Sequence, residues 1–279
     1  MLRFRGWFMT PKYRLLALDL DGTLLDSRLE PSAATRAAIA DAQAAGVHVT
    51  IATGRMIRTA QPFADMLQIT TPLITYQGAH VQTADGTVLY DNPLPADLAA
   101  EVVELALAEG LYIQAYIDDE LWIVERSPEV EEYLGFSLVD IPVNIAPNLV
   151  EIVRQKPVTK LVWITDPTEL ERTMHEWGER WKGRLEIFRS HDHFGEAAAI
   201  GSSKGVGLAV LAEHLDIPQA EVAAIGDREN DASMLAWAGF GMAMGNADRF
   251  ALAAANYVLP ALSDDGAAYG IRHFVLGEE

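Results

Sequence analysis

Residues 15–20, Leu-Leu-Ala-Leu-Asp-Leu, form a short and almost continuous apolar run. That is the pattern of a strand buried on both faces of a parallel sheet. The period then changes. Ser32 precedes an alanine-rich run over 33–45 and Gly46 follows it, giving a helix its start and stop. The apolar run Val47-His-Val-Thr-Ile-Ala52 predicts a second strand, 56–67 a second helix and 73–76 a third strand. Strands alternating with helices at this spacing predict βαβ units with right-handed crossovers.

After residue 80 the texture changes. Short runs at 81–83 and 88–90 flank Ala84-Asp85-Gly86-Thr87, a hairpin signal. A helix is predicted over 96–109, stopping at Gly110. Strands over 112–116 and 121–125 flank the turn Asp118-Asp119-Glu120, and a strand over 160–165, a helix over 167–181 and a strand over 185–189 follow. Hairpins mixed with helices suit an α+β module. The alternating pattern resumes with a helix over 205–214, a strand over 222–225, a helix over 231–237 and a strand over 240–244. The fold expected is α/β: a doubly wound, Rossmann-like parallel-sheet core over 13–88 and 191–279, interrupted by an inserted α+β domain over 89–190. Trp163, Trp177 and Trp181 are expected to fill the core of the insert, and Met234, Met242 and Met244 that of the parallel sheet.

Composition narrows the function. Among 279 residues, 21 Lys+Arg stand against 40 Asp+Glu, a formal net charge of −19. So acidic a surface repels nucleic acid and anionic lipid, and neither is expected as a partner. No apolar run approaches the roughly 20 residues of a membrane-spanning helix. The chain has no cysteine, which excludes disulfides and thiolate metal sites. Residues 1–12 are basic and aromatic but lack an export signal's apolar core, so they read as an N-terminal extension, with Met9 an alternative start. A cytoplasmic enzyme is expected. The sequence does not give its oligomeric state.

Four clusters fall at the ends of predicted core elements. Asp19-Leu-Asp21-Gly22-Thr23 follows the first strand, where an open α/β sheet binds its ligands. Thr53-Gly54-Arg55 follows the second and offers a hydroxyl and backbone N–H groups to an anion. Ser202-Ser203-Lys204-Gly205 places a lysine at a helix start, without the spacing of a P-loop. Gly226-Asp227-Arg-Glu-Asn230-Asp231 gathers oxygen ligands suited to Mg²⁺. Each alone also reads as an ordinary solvated turn. Other features carry less. Residues 239–245 miss the dinucleotide fingerprint by one residue, and His191-Asp-His193 reads more simply as a polar rim than as a metal pair.

Taken together and in this order, the four clusters resemble the four motifs of the haloacid dehalogenase-like superfamily. The insert after the third strand is similar to that of its Cof-type (class IIB) phosphatases, as are Gly78-Ala79, Gly245-Asn246-Ala247 and Asp264-Asp265-Gly266. Two stretches depart from the pattern: Gln77-Gly78, where the family often has Asn-Gly, and Phe194-Gly-Glu-Ala-Ala-Ala-Ile200 before the lysine motif. The resemblance implies a Mg²⁺-dependent phosphatase acting on a small phosphorylated metabolite. Asp19 would be the nucleophile, forming an aspartyl-phosphate, and Asp21 the general acid and base. Thr53, Gly54, Lys204 and Asn230 would bind phosphate. Asp19, Asp21 (through its backbone carbonyl), Asp227 and Asp231 would hold the metal. A phosphotransferase or phosphomutase acting on sugar phosphates is the alternative enzyme, and a phosphorylatable signalling module the non-enzymatic one.

Overall fold

The computed structural model describes residues 11–278 other than 27 and 136, so the expected extension and the alternative start at Met9 lie largely or wholly outside the described residues. Five strands form a parallel sheet in the order Tyr257–Val258, Phe240–Ala243, Val222–Gly226, Leu15–Leu18 and His48–Ile51. The pairs Leu15↔His48 and Leu15↔Val222 fix the register on either side of the first strand.

The strands alternate between two apolar faces, as a strand's two-residue period requires. Leu16, Leu18, Val49, Ile51 and Ile225 point to one face, covered by helices Ala33–Ala44 and Ile57–Met66. Leu15, Ala17, Val222 and Ala224 point to the other, covered by Lys204–His214 and Ala232–Trp237. The core is therefore doubly wound. Ser32 accepts a hydrogen bond from the Thr35 N–H and caps the first helix, and Gly46 supplies the left-handed turn after it (φ 88°). Met242 and Met244 fill the first face and Met234 the second.

A three-stranded antiparallel sheet, Leu73–Thr75, His80–Gln82 and Val88–Asp91, joins the core's edge through a bridge between Ala52 and Ile74. A six-stranded sheet runs in the order Leu185–His191, Phe194–Ala199, Lys160–Ile164, Tyr112–Ile117, Glu120–Ile123 and Val143–Ile145. Helices Ala96–Ala108, Leu149–Gln155 and Pro167–Arg180 cover one of its faces around Trp163, Trp177 and Trp181. The Trp163 indole N–H donates to the Thr173 hydroxyl at 2.9 Å. The opposite face packs Tyr116, Val162, Ile164 and Phe194 against Met56, Tyr76 and Ala79 of the core.

Two boundaries differ from those expected at 89 and 190. Val88–Asp91 pairs with His80–Gln82, so it extends the core-side hairpin. Phe194–Ala199 pairs with both Leu185–His191 and Lys160–Ile164, so it lies within the six-stranded sheet. All six of its residues are buried, as suits a strand with neighbours on both sides. Pro128–Leu134, Val143–Ile145 and Leu149–Gln155 had no predicted counterpart. Among the described residues, no helix is long and apolar enough to cross a membrane.

Candidate active site

The Leu15–Leu18 strand lies between His48–Ile51 and Val222–Gly226, so the chain winds away from it in both directions. Its carboxyl end is the switch point at which an open α/β sheet forms a crevice. Asp19 leaves the strand there, its N–H donating to the Ile225 carbonyl at 3.0 Å, with its side chain buried. Lys204, the first residue of its helix, is completely buried. Its Nζ donates to Asp19 Oδ1 at 2.6 Å and to Asp231 Oδ1 at 2.5 Å. The other oxygen of Asp231 accepts the N–H groups of Asp227 and Arg228 at 2.9 and 3.0 Å. Asp227 Oδ1 accepts the Thr23 hydroxyl at 2.9 Å.

Glycines make these approaches feasible. Gly22 has φ 89°, and a Cβ there would stand 2.4 Å from Asp227 Oδ2. Gly78 has φ 86°, and a Cβ there would stand 1.9 Å from the Ser203 carbonyl oxygen. The turn after Leu73–Thr75 therefore seats directly on the start of the lysine helix.

Crowding sets the electrostatics. Asp19, Asp227 and Asp231 each offer an oxygen, and these atoms lie within 4.8 Å of one another. Burial, then repulsion from Asp231, holds the Asp19 carboxyl well above its ordinary range, despite the opposing pull of Lys204. Burial, with Asp231 beside it, pushes Asp227 up to about 7. Lys204 pays for its own burial through its carboxylate partners and is raised above an ordinary lysine. One buried ammonium thus faces three carboxylates. The donors are all oxygen and the charge in excess is negative, which fits a hard divalent cation.

Other predicted residues surround this cluster. The side chain of Asp21 turns away from it to a two-pronged pair with Arg55, at 2.7 Å from Nε and 2.6 Å from the terminal nitrogen. Its carboxylate is thus outside the converging three. The Thr53 hydroxyl is buried and accepts the Arg55 N–H at 3.2 Å. The Asn230 side-chain N–H donates to Gln77 Oε1 at 3.0 Å. Asn246 donates to the Gly22 carbonyl at 2.9 Å and accepts the Leu262 N–H at 2.9 Å, tying the distal loops to the aspartate loop. His193 bonds the Thr165 carbonyl at 3.1 Å, whereas the His191 side chain lies outside the described residues.

Sequence reasoning missed three groups. Lys160 and Glu196 form a buried ion pair at 2.9 Å within the six-stranded sheet, and Lys160 also donates to the Gly54 carbonyl at 2.9 Å. A lone lysine in an apolar strand was the available signal. Asp119, at the turn between Tyr112–Ile117 and Glu120–Ile123, accepts the Tyr76 hydroxyl at 2.7 Å and the Arg58 N–H at 3.1 Å, which latches that sheet to the core. Gln77 was noticed only as a departure. A cavity of about 240 Å³ beside the latch is lined by Tyr76, His80, Asp91 and Asp119, with none of the converging acids on its wall.

The model of one family, haloacid dehalogenase-like hydrolase, matches residues 16–271. The HMP-PP phosphatase of Serratia proteamaculans is 32% identical over 84% of this chain and 85% of its own. A haloacid dehalogenase-like hydrolase from Bacteroides thetaiotaomicron has a similar structure, with a TM-score of 0.82, 30% identity and coverage of 94% of this chain and 99% of that one. The HAD subclass IIB sugar phosphatase BT4131 superposes with a TM-score of 0.81 at 25% identity, over 94% and 99% of the two chains. On the strength of its sheet, its acidic switch point and these matches, the chain belongs to the haloacid dehalogenase-like hydrolases, in their Cof-type branch of phosphatases.

Proposed function

We propose that the protein is a Mg²⁺-dependent phosphomonoesterase that acts on small phosphorylated metabolites through a phosphorylated Asp19. The observation that carries this is the pairing of buried Lys204 with Asp19 and Asp231 at the sheet's switch point, beside Asp227. A phosphate dianion repels an anionic nucleophile, so the site must supply fixed positive charge. Lys204, the Thr53 hydroxyl and the Gly54 N–H would bind phosphoryl oxygens, the Thr53 N–H being already bonded to the Ile74 carbonyl. An Asp19 oxygen attacks phosphorus as the ester oxygen leaves, forming an acyl phosphate on Asp19. Asp21 protonates the leaving oxygen, then takes a proton from the water that attacks the same phosphorus and frees Asp19. In the resting site Arg55 is paired with the Asp21 side chain, so a bound ester must loosen that pair before Asp21 can serve the leaving oxygen. Asp19, Asp227, Asp231 and the Asp21 carbonyl would hold the Mg²⁺, which supplies charge neutralisation and a Lewis acid when bound.

Residues 92–199 act in this reading as a substrate-selecting unit seated over the core. The packing of Tyr116, Ile164 and Phe194 on Met56 and Tyr76 supports it. So does the contact of Lys160 with the phosphate-binding turn at Gly54. The test is phosphate release from a panel of sugar phosphates, nucleotides, phosphorylated cofactors and an aryl phosphate, with and without Mg²⁺. Mg²⁺-dependent release from at least one member is expected, and release from none would refute the reading.

A further inference from the structure

Gln77 holds an uncommon position. Its backbone is left-handed (φ 58°), a conformation that glycine, asparagine and aspartate take more readily than a longer side chain. It is 2% exposed, and its N–H donates to the Thr53 carbonyl at 3.0 Å. The side-chain Oε1 accepts from Asn230, while Nε2 lies against Gly54, where a Cβ would stand 2.3 Å from it. Gln77 therefore sits among the Thr53–Gly54 turn, the start of the lysine helix and the Asn230 loop.

Its hydrogen bonding is incomplete. Gln77 Nε2 and Asn230 Oδ1 are both buried, and neither has a hydrogen-bond partner among the described residues. Turning both amides over exchanges the two roles, yet one donor and one acceptor are left in either case. Buried polar groups are costly to leave unmet, and an unmet pair converging on an active site points to a ligand that meets it. The turn cannot simply back away, because Gly78 already touches the Ser203 carbonyl.

We infer that Gln77 is a further oxyanion-binding residue, its amide joining Asn230 to complete their unmet hydrogen bonds on the phosphoryl group. This rests on the phosphatase reading above. An unprotonated phosphoryl oxygen accepts from the amide N–H, and a phosphoryl hydroxyl or the attacking water donates to the carbonyl oxygen. Gln77 thereby becomes a phosphate-binding residue that the four motifs do not include, on the one loop where this chain departs from the usual Asn-Gly.

The test compares the full-length parent with Gln77→Leu, Gln77→Glu and Gln77→Asn in Mg²⁺. It measures inhibition by orthovanadate and by inorganic phosphate, with thermal melting as a check on folding. Losing a hydrogen bond to a charged group weakens binding roughly ten- to a hundredfold. Gln77→Leu and Gln77→Glu should raise both inhibition constants at least about tenfold at temperatures where they remain folded, with Gln77→Glu the more affected because it adds a charge facing the anion. Gln77→Asn, which keeps the amide and suits the left-handed turn, should recover part of the loss. A purely structural Gln77 would lower the melting temperature and leave both constants within threefold, and that result overturns the inference. Should Gln77→Leu not fold, the nearly isosteric Gln77→Glu decides by the same thresholds. A parent that neither cleaves any ester nor binds vanadate would instead refute the phosphatase reading itself.

Discussion

A lysine with no solvent exposure survives between Asp19 and Asp231 because two short hydrogen bonds offset the loss of its hydration. The arrangement keeps Asp19 close to a positive charge and fixes the direction of its oxygens. Asp19→Asn preserves volume and hydrogen bonding but removes the nucleophile. Turnover should fall by at least about a thousandfold while the melting temperature stays near the parent's. Retention of a tenth of the parent's phosphate release would contradict the assigned nucleophile. Asp19, Lys204 and Asp227 were legible in the sequence because each follows or begins an element whose apolar pattern gives its position. Gln77 was not. Its importance lies in a positive φ and an unmet amide, and neither leaves a trace in residue order.

Buried parallel strands announce themselves as apolar runs, so Leu15–Leu18, His48–Ile51 and Val222–Gly226 were readable from sequence. The six-stranded sheet was read less completely. Val143–Ile145 is a half-exposed edge strand of three residues, too short for a period to show. Phe194–Ala199 hides its strand character behind Gly195, Glu196 and three alanines, and Glu196 is tolerable there only because Lys160, diagonally across on the neighbouring strand, pairs with it. That pairing makes the strand's stability testable. Lys160→Met strands a buried carboxylate and leaves the Gly54 carbonyl without its lysine, at a cost of about 3–5 kcal/mol. Adding Glu196→Gln should restore most of it in urea denaturation. A single-variant cost below about 1 kcal/mol, the scale of an exposed pair, would mean that the lysine does not bind the two elements together.

At the scale of the whole molecule, the buried carboxylates Asp19, Asp227 and Asp231 share one buried lysine where the metal is expected. The Asp227 carboxyl, pushed up from 3.8 to about 7, holds a proton in the folded protein that the unfolded chain releases. Between those values the folded state binds more protons, so this group makes the metal-free protein less stable as pH rises through about 4 to 7 and adds no further slope above. The drop in melting temperature from about pH 5 to about pH 7.5 should therefore be smaller in Asp227→Asn than in the parent. Millimolar Mg²⁺ should shrink the parent's drop by favouring the ionised cluster. Identical slopes in the two metal-free proteins would remove Asp227 from this account. The sheet's connectivity carries a different consequence. Thr23 and Asp227, hydrogen-bonded in the finished site, are 204 positions apart, and Lys204 is 185 from Asp19. The six-stranded sheet, in contrast, is closed by residues 112–199 alone. On a ribosome that sheet can form while the Leu15–Leu18 strand still waits for its Val222–Gly226 neighbour, and such distant pairings are the slow ones. The nascent chain therefore holds no assembled nucleophile, lysine and acid cluster until residues 222–231 emerge, and a translation product interrupted before them is chemically silent.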